Sequence, residues 1–325
     1  MTKSQKSKRL IVIDANSIIH RAFHALPPLS TKKGEVVGAV YGFLLVLFKA
    51  IREFQPDFIC ACFDFPGPTF RHKKFREYKA KRPPAPEELY SQIPKVKEVL
   101  ETFNISIFEK EGFEADDIIG TISKLAPRKQ AFPKIETIIL SGDLDTLQLI
   151  DDQTKVFALK KGVKETVLYD KIQVQKKYGL SPQQLLDFKA LRGDPSDNIP
   201  GVTGIGEKTA KFLLNKFGSL ENLYKELEES SEKAKDLKFK VKKLLVEYKE
   251  QAFLSKTLAT IQKEVSIDFN LKKCLWGKYN KNEVVELFKE LGFKSLVERL
   301  PELDEKGEKK QDKESTPSKK NLRLW

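Results

Sequence analysis

Glu114, Asp116 and Asp117 crowd three carboxylates into four positions of the segment GFEADDIIG (112–120), directly ahead of apolar Ile118 and Ile119. Further acids close apolar runs elsewhere: Asp14 ends LIVID (10–14), Asp64 ends FICACFD (58–64), and Asp143 ends TIILSGD (137–143) with Asp145 two residues on. Taken singly, each has an ordinary explanation, because acids favour the first turn of a helix and cap its N-terminus. Taken together they ask for another, since like charges brought close repel unless something neutralises them. A divalent cation is the simplest neutraliser. Ligands that are all oxygen, with no Cys or His among them, select hard ions such as Mg²⁺ or Mn²⁺. One Mg²⁺ keeps several waters and needs few carboxylates, so seven acids imply two or more ions. Paired ions of this kind carry out in-line displacement at phosphorus, one activating water and the other stabilising the leaving oxygen. Phosphodiester hydrolysis is the leading expectation.

For these acids to meet, separate segments must end at one edge. The three runs above and ISIFE (105–109) alternate with the helical stretches GAVYGFLLVLFKAIREF and PEELYSQIPKVKEVLETF, a pattern of βαβ units around a mostly parallel sheet. The acid-rich segment opens just after ISIFE, and open sheets of this kind keep their sites where the strands end. The expected fold class is therefore α/β, a mostly parallel central sheet flanked by helices over residues 8–180. Past residue 180 helical segments such as SPQQLLDFKALRG and EKTAKFLLNKFG take over, so a smaller helical domain and a packing segment are expected over 181–300. Residues 301–325 are almost wholly polar and are expected to be disordered.

The net charge of +13 and the pI near 9.3 point to a polyanionic partner. FRHKKFREYKAKRPP (70–84) carries seven Lys and Arg against Glu77 alone, interleaved with Phe70, Phe75 and Tyr78. Its residues fit a single-strand channel with stacking aromatics, or a solvated helix with Phe75 and Tyr78 packed inward. GVTGIGEKTA (201–210) lacks the Walker spacing, because Glu207 stands between Gly206 and Lys208 and no strand directly precedes it. It reads as a turn between helices, with Gly201, Gly204 and Gly206 letting the backbone approach a DNA phosphate, and Lys208 and the next helix N-terminus assisting. Such contacts ignore base sequence.

Other classes are excluded. No charge-free apolar run is long enough for a membrane span, and the basic N-terminus lacks the apolar segment of a secretory signal, so a cytoplasmic location is expected. Three cysteines make no disulfide framework. His20 and His24 lie one helical turn apart, but Arg21 stands where a zincin helix needs Glu.

IVIDANSIIHRAFHALPP (11–28), ACFDFPGPTFRHKKFREYKAKRPP (61–84), GFEADD, SGDLDTLQLI (141–150) and DPSDNIPGVTGIGEKTA (194–210) together closely resemble the 5′→3′ exonuclease domains of bacterial DNA polymerase I, within the flap endonuclease family. The resemblance runs from about Leu10 to Leu300 in the expected order. It implies a PIN/resolvase-like nuclease core with a helix-3-turn-helix domain. The implied activity is Mg²⁺-dependent cutting of flapped, nicked or branched DNA near a 5′ end, leaving a 5′-phosphate, in replication and repair. Matched motif by motif, the implied metal ligands are Asp14, Asp64, Glu114, Asp116, Asp117, Asp143, Asp145, Asp194 and Asp197. Asp64, Glu114 and Asp116 are assigned to one ion, and Asp143, Asp145 and Asp197 to the other. The region at about 70–90 would form a helical arch over the site, with Lys79 and Arg82 on the scissile phosphate and Tyr78 stacked near it. Arg21 and Arg71 would face the DNA cleft. The helix-3-turn-helix often holds K⁺ between turn and phosphate. Setting the nine acids aside leaves 37 of 46 acidic side chains against 59 basic ones, so positive charge is general and negative charge local.

Polymerase-fused members continue well beyond this length, so a stand-alone or truncated nuclease, monomeric, is expected. The terminal NLRLW is similar to the bacterial sliding-clamp peptide, with Asn321 in place of Gln and Trp325 in place of Phe. The alternative to a nuclease is a catalytically weak junction-binding protein of the same fold.

Overall fold

The computed structural model describes residues 7–126 and 135–301. The tail from residue 302, with its NLRLW terminus, lies outside the described residues. β1 (Lys8–Asp14) is buried from Leu10 onward, as a central parallel strand covered on both faces must be. It is followed by α1 (Ala15–Ala25) and α2 (Gly38–Phe54), then β2 (Phe58–Cys62), α3 (Phe70–Lys74), α4 (Glu87–Tyr90), α5 (Ile93–Thr102), β3 (Ser106–Phe108), α6 (Ala115–Leu125) and β4 (Ile135–Ser141). An antiparallel hairpin, β5 (Thr154–Lys161) and β6 (Glu165–Tyr169), completes one six-stranded sheet in the order β3-β2-β1-β4-β5-β6. The other pairings are parallel. The sequence pattern finds the first four strands but misses this hairpin, because its turn and outer strand are rich in Lys and Glu, as edge strands are.

One sheet face packs Ile11, Ile13, Ile59 and Leu140 against Phe43, Phe48 and Phe103 of the α1, α2 and α5 side. The other packs Leu10, Val12, Cys60 and Ile139 against Ile118, Ile119 and Ile122 of α6. Asp14 therefore caps a strand with apolar layers above and below it, and has only the sheet's end to emerge from.

Beyond the sheet come α7 (Lys171–Tyr178), α8 (Pro182–Arg192), α9 (Glu207–Phe217), α10 (Leu220–Glu228), α11 (Glu232–Lys235), α12 (Phe239–Glu247) and α13 (Lys249–Ala259). Leu191, Leu213, Leu214, Leu223 and Leu245 form a core of their own there. The chain then returns. Ile261 and Phe269 join the α6 side of the sheet, and α14 (Lys281–Glu290) with α15 (Lys294–Val297) places Phe288 and Leu296 on the opposite side. Gly120 makes that return close: a Cβ there would sit 2.7 Å from Ile261 Cγ2 and 2.9 Å from the Gln262 carbonyl. No described helix is long and apolar enough to cross a membrane.

The expected helical arch at 70–90 is not what forms. Helix is confined to α3 and α4, with turns between them. Pro83, Pro84 and Pro86 cannot continue a helix, and Lys79 sits at φ +56°, outside helical geometry. The segment is docked instead: Lys79 N donates to the Asp197 carbonyl at 2.9 Å, and Asn198 Nδ2 to the Glu77 carbonyl at 2.7 Å.

Candidate active site

The strand order reverses between β1 and β4, which opens a crevice at their C-terminal ends, the usual site position in such sheets. Asp14, the last residue of β1, caps α1 by accepting from Ser17 N, while its other oxygen takes the Ser141 hydroxyl at 2.5 Å. Asp143 follows β4 and accepts Asp145 N at 2.9 Å, which fixes the 3-10 turn Leu144–Leu149. Asp64, two residues past β2, accepts the first amide of α6, Ala115 N, at 2.8 Å. Glu114 is the N-cap of that helix. Asp194 and Asp197 arrive from the turn after α8, closed by an Asp194–Ile199 bridge.

Three carboxylate oxygens, one each from Asp145, Asp194 and Asp197, lie within 4.8 Å of one another. Asp194 thus takes the place assigned to Asp143 in the expected grouping. Asp143 stands between clusters, close enough to help push up Asp14, Asp116 and Asp145.

The acids are partly neutralised by the protein's own cations. Lys189 bridges Asp145 and Asp194, the latter at 2.6 Å; Lys79 Nζ lies 2.8 Å from Glu114, and Arg82 pairs with Asp197. This is not sufficient for all of them. Burial, with Asp143 and Asp64 adding to it, pushes Asp14 up to about 6. Burial and Asp143 likewise push Asp145 to about 6, against the opposing pull of Lys189. Asp116 is driven well above the usual range by burial and by Asp14, Asp143, Asp145 and Glu114. Asp194 goes the other way: burial would raise it, but Lys189 and Ser196 hold it down. The space left among these groups is only about 20 Å³, on the order of one water, so a phosphate enters only if the cationic side chains move.

Other assignments made from the sequence change as well. Asp117 is 0% exposed with both oxygens fully used: Oδ1 accepts Arg71 Nη2 and Gln262 N, Oδ2 accepts Arg71 Nη1 and Glu114 N. It positions α6 and the returning segment at Gln262 and has no oxygen left for an ion. Arg71, 2% exposed, also donates to the Leu258 and Thr260 carbonyls, so it does not face DNA. Tyr78 is 3% exposed, its hydroxyl 3.2 Å from both Glu114 and Asp197, and its ring is not available for stacking. The inward-packed alternative for Tyr78 is the one that forms. Burial and the two acids hold the phenol protonated. Arg71→Met would leave Asp117 as an uncompensated buried charge and should cost about 3–5 kcal/mol. A denaturation midpoint unchanged from the parent chain would refute this.

Arg21 does reach the crevice edge, donating to the Gly142 carbonyl at 3.1 Å. In the helical turn, Gly201 (φ +65°) is buried: a Cβ would come within 2.1 Å of Gly193 N, its amide donates to Ser255 Oγ, and its carbonyl accepts from Gln251 Nε2. Its freedom serves internal packing and leaves no backbone group for a phosphate. Gly204, Gly206 and Lys208 are exposed, and Gly206, the N-cap of α9, leaves that helix without a side-chain cap.

Sequence reasoning missed Lys189 and Ser141. Ser141 directly precedes Gly-Asp and could have been suspected. Lys189 carries no local signal, since it meets Asp145 only through the tertiary fold.

The donor set fits divalent metal: oxygen ligands only, clustered, with three carboxylates already pushed upward by mutual repulsion and burial. A crevice of this chemistry at the switch point of a mostly parallel sheet, beside a helical turn domain, defines a nuclease. Residues 9–179 match the family described as the 5′-3′ exonuclease N-terminal resolvase-like domain, and residues 180–282 its C-terminal SAM fold. The chain belongs to the 5′-3′ exonuclease family. It is 43% identical over 307 residues to DNA polymerase I of Bacillus subtilis and 41% over 293 residues to that of Bacillus caldotenax, covering 94% and 90% of this chain. The matches span 34% and 32% of those relatives, so the chain covers about a third of their length. The fold is also that of T5 5′-exonuclease, solved with divalent metal ions (zinc) bound (TM-score 0.64, 21% identity, 78% of this chain and 89% of that one). It is shared with the catalytic core of Rad2 in complex with DNA substrate (TM-score 0.56, 20% identity, 91% and 92% covered).

Proposed function

We propose that this protein is a structure-selective 5′ nuclease that hydrolyses DNA phosphodiesters at 5′ flaps, nicks and branched duplexes with Mg²⁺ or Mn²⁺, leaving a 5′-phosphate. One observation carries the reading: carboxylates from β1, the β2 and β4 ends, the head of α6 and the turn after α8 converge on one crevice, where Lys79, Arg82 and Lys189 offset only part of their charge. Asp14, Asp64, Glu114, Asp116, Asp143, Asp145, Asp194 and Asp197 are the groups that would hold the ions, which supply an activated water and charge neutralisation. Asp117 supports them by fixing the N-terminus of α6. Lys79 and Arg82, which pair with Glu114 and Asp197, are placed to exchange those acids for the scissile phosphate and to stabilise charge that develops there. Ser141 and Ser17 hold Asp14 in one orientation. Arg21 extends the positive rim.

Gly204, Gly206 and Lys208 present the open N-terminus of α9 to a backbone phosphate, away from the chemistry, and K⁺ at this turn belongs to the same reading. Lys208→Ala should weaken duplex binding without regard to sequence and lower the slope of log affinity against log salt by about one unit. Anisotropy titrations at several salt concentrations check this, and an unchanged slope would remove Lys208 from the interface.

The deciding experiment offers a 5′-flapped duplex, a nicked duplex and a blunt duplex with Mg²⁺. Cleavage of the first two near the 5′ end, with products that a ligase can join, supports the reading. Products ending in a 5′-hydroxyl, or equal cutting of all three, would sink it.

A further inference from the structure

Two non-glycine residues in left-handed backbone, Lys79 and Asn198, each at φ +56°, belong to segments that dock on one another. Such conformations are disfavoured for a residue with a Cβ and persist where the surroundings impose them. At Lys79 the surroundings are a turn. Ala80 N donates to the Glu77 carbonyl at 3.1 Å, which puts Lys79 in the third position of Glu77–Ala80. The same carbonyl accepts Asn198 Nδ2 at 2.7 Å. Asn198 therefore grips the acceptor of the turn that aims Lys79, from 121 residues away in the sequence.

Asparagine suits this position for two reasons. Asn and Asp tolerate left-handed backbone better than other non-glycine residues, and the Asn amide supplies an N–H donor that neither an ionised Asp nor a Gly side chain has. The turn that carries Asn198 closes through its main chain: Asp194 and Ile199 exchange both backbone hydrogen bonds at 2.9 Å, and Asn198 N donates to the Pro195 carbonyl at 3.3 Å. The side-chain hydrogen bond goes instead to Glu77. Beside it, Lys79 N donates to the Asp197 carbonyl, and Arg82 Nε to the Ser196 carbonyl at 3.2 Å, so 77–82 is laid along 196–198. From that track Lys79 Nζ and the Arg82 guanidinium reach Glu114 and Asp197. The Asn198–Glu77 bond uses neither cationic group, so it is kept when those side chains leave the acids for a phosphate.

We propose that Asn198 is a positioning residue of the nuclease: by holding the Glu77 carbonyl it fixes the turn from which Lys79 and Arg82 reach the scissile phosphate. Its catalytic consequence rests on the 5′ nuclease reading, whereas the latch itself does not.

Asn198→Gly keeps the left-handed backbone and removes the latch. Asn198→Asp keeps the side-chain size but sets a carboxylate against the Glu77 carbonyl. Limited trypsin digestion of the full chain in EDTA tests the latch without catalysis: cutting after Lys79, Lys81 or Arg82 should be several-fold faster in both variants. Equal rates in parent and variants would overturn the proposal. Single-turnover cleavage of a 5′-flapped duplex with Mg²⁺ tests the consequence. Asn198→Gly should slow it about tenfold, the net contribution of one hydrogen bond, and Asn198→Asp at least as much. For Asn198→Gly, flap affinity and the Mg²⁺ concentration giving half the maximal rate should stay as in the parent. A raised Mg²⁺ requirement would overturn the proposal, because Asn198 would then act through its neighbour Asp197. In a chain already carrying Lys79→Ala and Arg82→Ala, where the latch has nothing left to aim, Asn198→Gly should cause no further loss. An undiminished tenfold loss there would show a general structural role and overturn it too. A parent chain that cuts no flapped duplex would defeat the nuclease reading and the catalytic role with it, whereas an active parent with unslowed variants would defeat the role of Asn198 alone.

Discussion

Asp116→Asn is expected to reduce cleavage of a 5′-flapped duplex by about a thousandfold or more while flap binding changes by only a few-fold. Asp116 sits in the first turn of α6, where it shares the crevice with Asp14, Asp143, Asp145 and Glu114, and their combined charge, on top of burial, holds it well above the carboxylate range. A group so placed is costly to the apoprotein, and under the proposed function a bound cation offsets that cost. Losing several kcal/mol of charge stabilisation at the reacting phosphate corresponds to three or more decades in rate. The groups proposed to hold DNA, Lys208 and the start of α9, lie elsewhere and are unchanged in this variant. The comparison with Asp117→Asn separates the two adjacent acids. Asp116→Asn should leave the EDTA-treated protein as stable as the parent or more so, because it removes repulsion. Asp117→Asn should destabilise it, because it breaks the buried Arg71 pair. Single-turnover cleavage, binding anisotropy and melting curves on both variants check this. A fully active Asp116→Asn would remove the acid crevice from the chemistry.

Millimolar Mg²⁺ or Mn²⁺ should raise the melting temperature by about 5 °C or more near pH 7.5, and by clearly less near pH 5. Asp14 and Asp145 are raised from 3.8 to about 6 in the folded protein. The native state therefore holds these protons more tightly than the unfolded chain does. The stability they contribute is fully present below about pH 3.8 and is lost as pH rises through about 6. Above that, the apoprotein carries the carboxylate repulsion in full, and a divalent ion relieves it. Near pH 5 protons already relieve it and compete with the ion for the same oxygens. Differential scanning fluorimetry with and without metal at both pH values, at matched ionic strength, gives the comparison. A shift of equal size at both would mean that the ion binds somewhere other than these acids.

The sheet's first four strands, the acids at their ends and the turn at 201–210 were legible because each is a local pattern. An apolar run closed by Asp reads as a buried strand reaching the sheet's edge, and parallel order follows from the helices between runs. The β5–β6 hairpin was not, since its exposed Lys and Glu mask the alternation. The segment 70–90 was misleading for a related reason: its charge and aromatics describe what it can contact, while its prolines and the positive φ at Lys79 decide its path.

Residue type and order alone thus settle that acids from distant segments meet at one edge of a mostly parallel sheet, because strand ends and apolar faces are properties of short stretches. Only the tertiary fold decides which of the acids remain free. Asp116 and Asp117 are neighbours of the same type, yet one faces the crevice and the other is closed off by Arg71 and the returning segment at Gln262. Successive helical residues point about 100° apart, so adjacent side chains meet different surroundings, and those surroundings are supplied by residues 46 and 145 positions away.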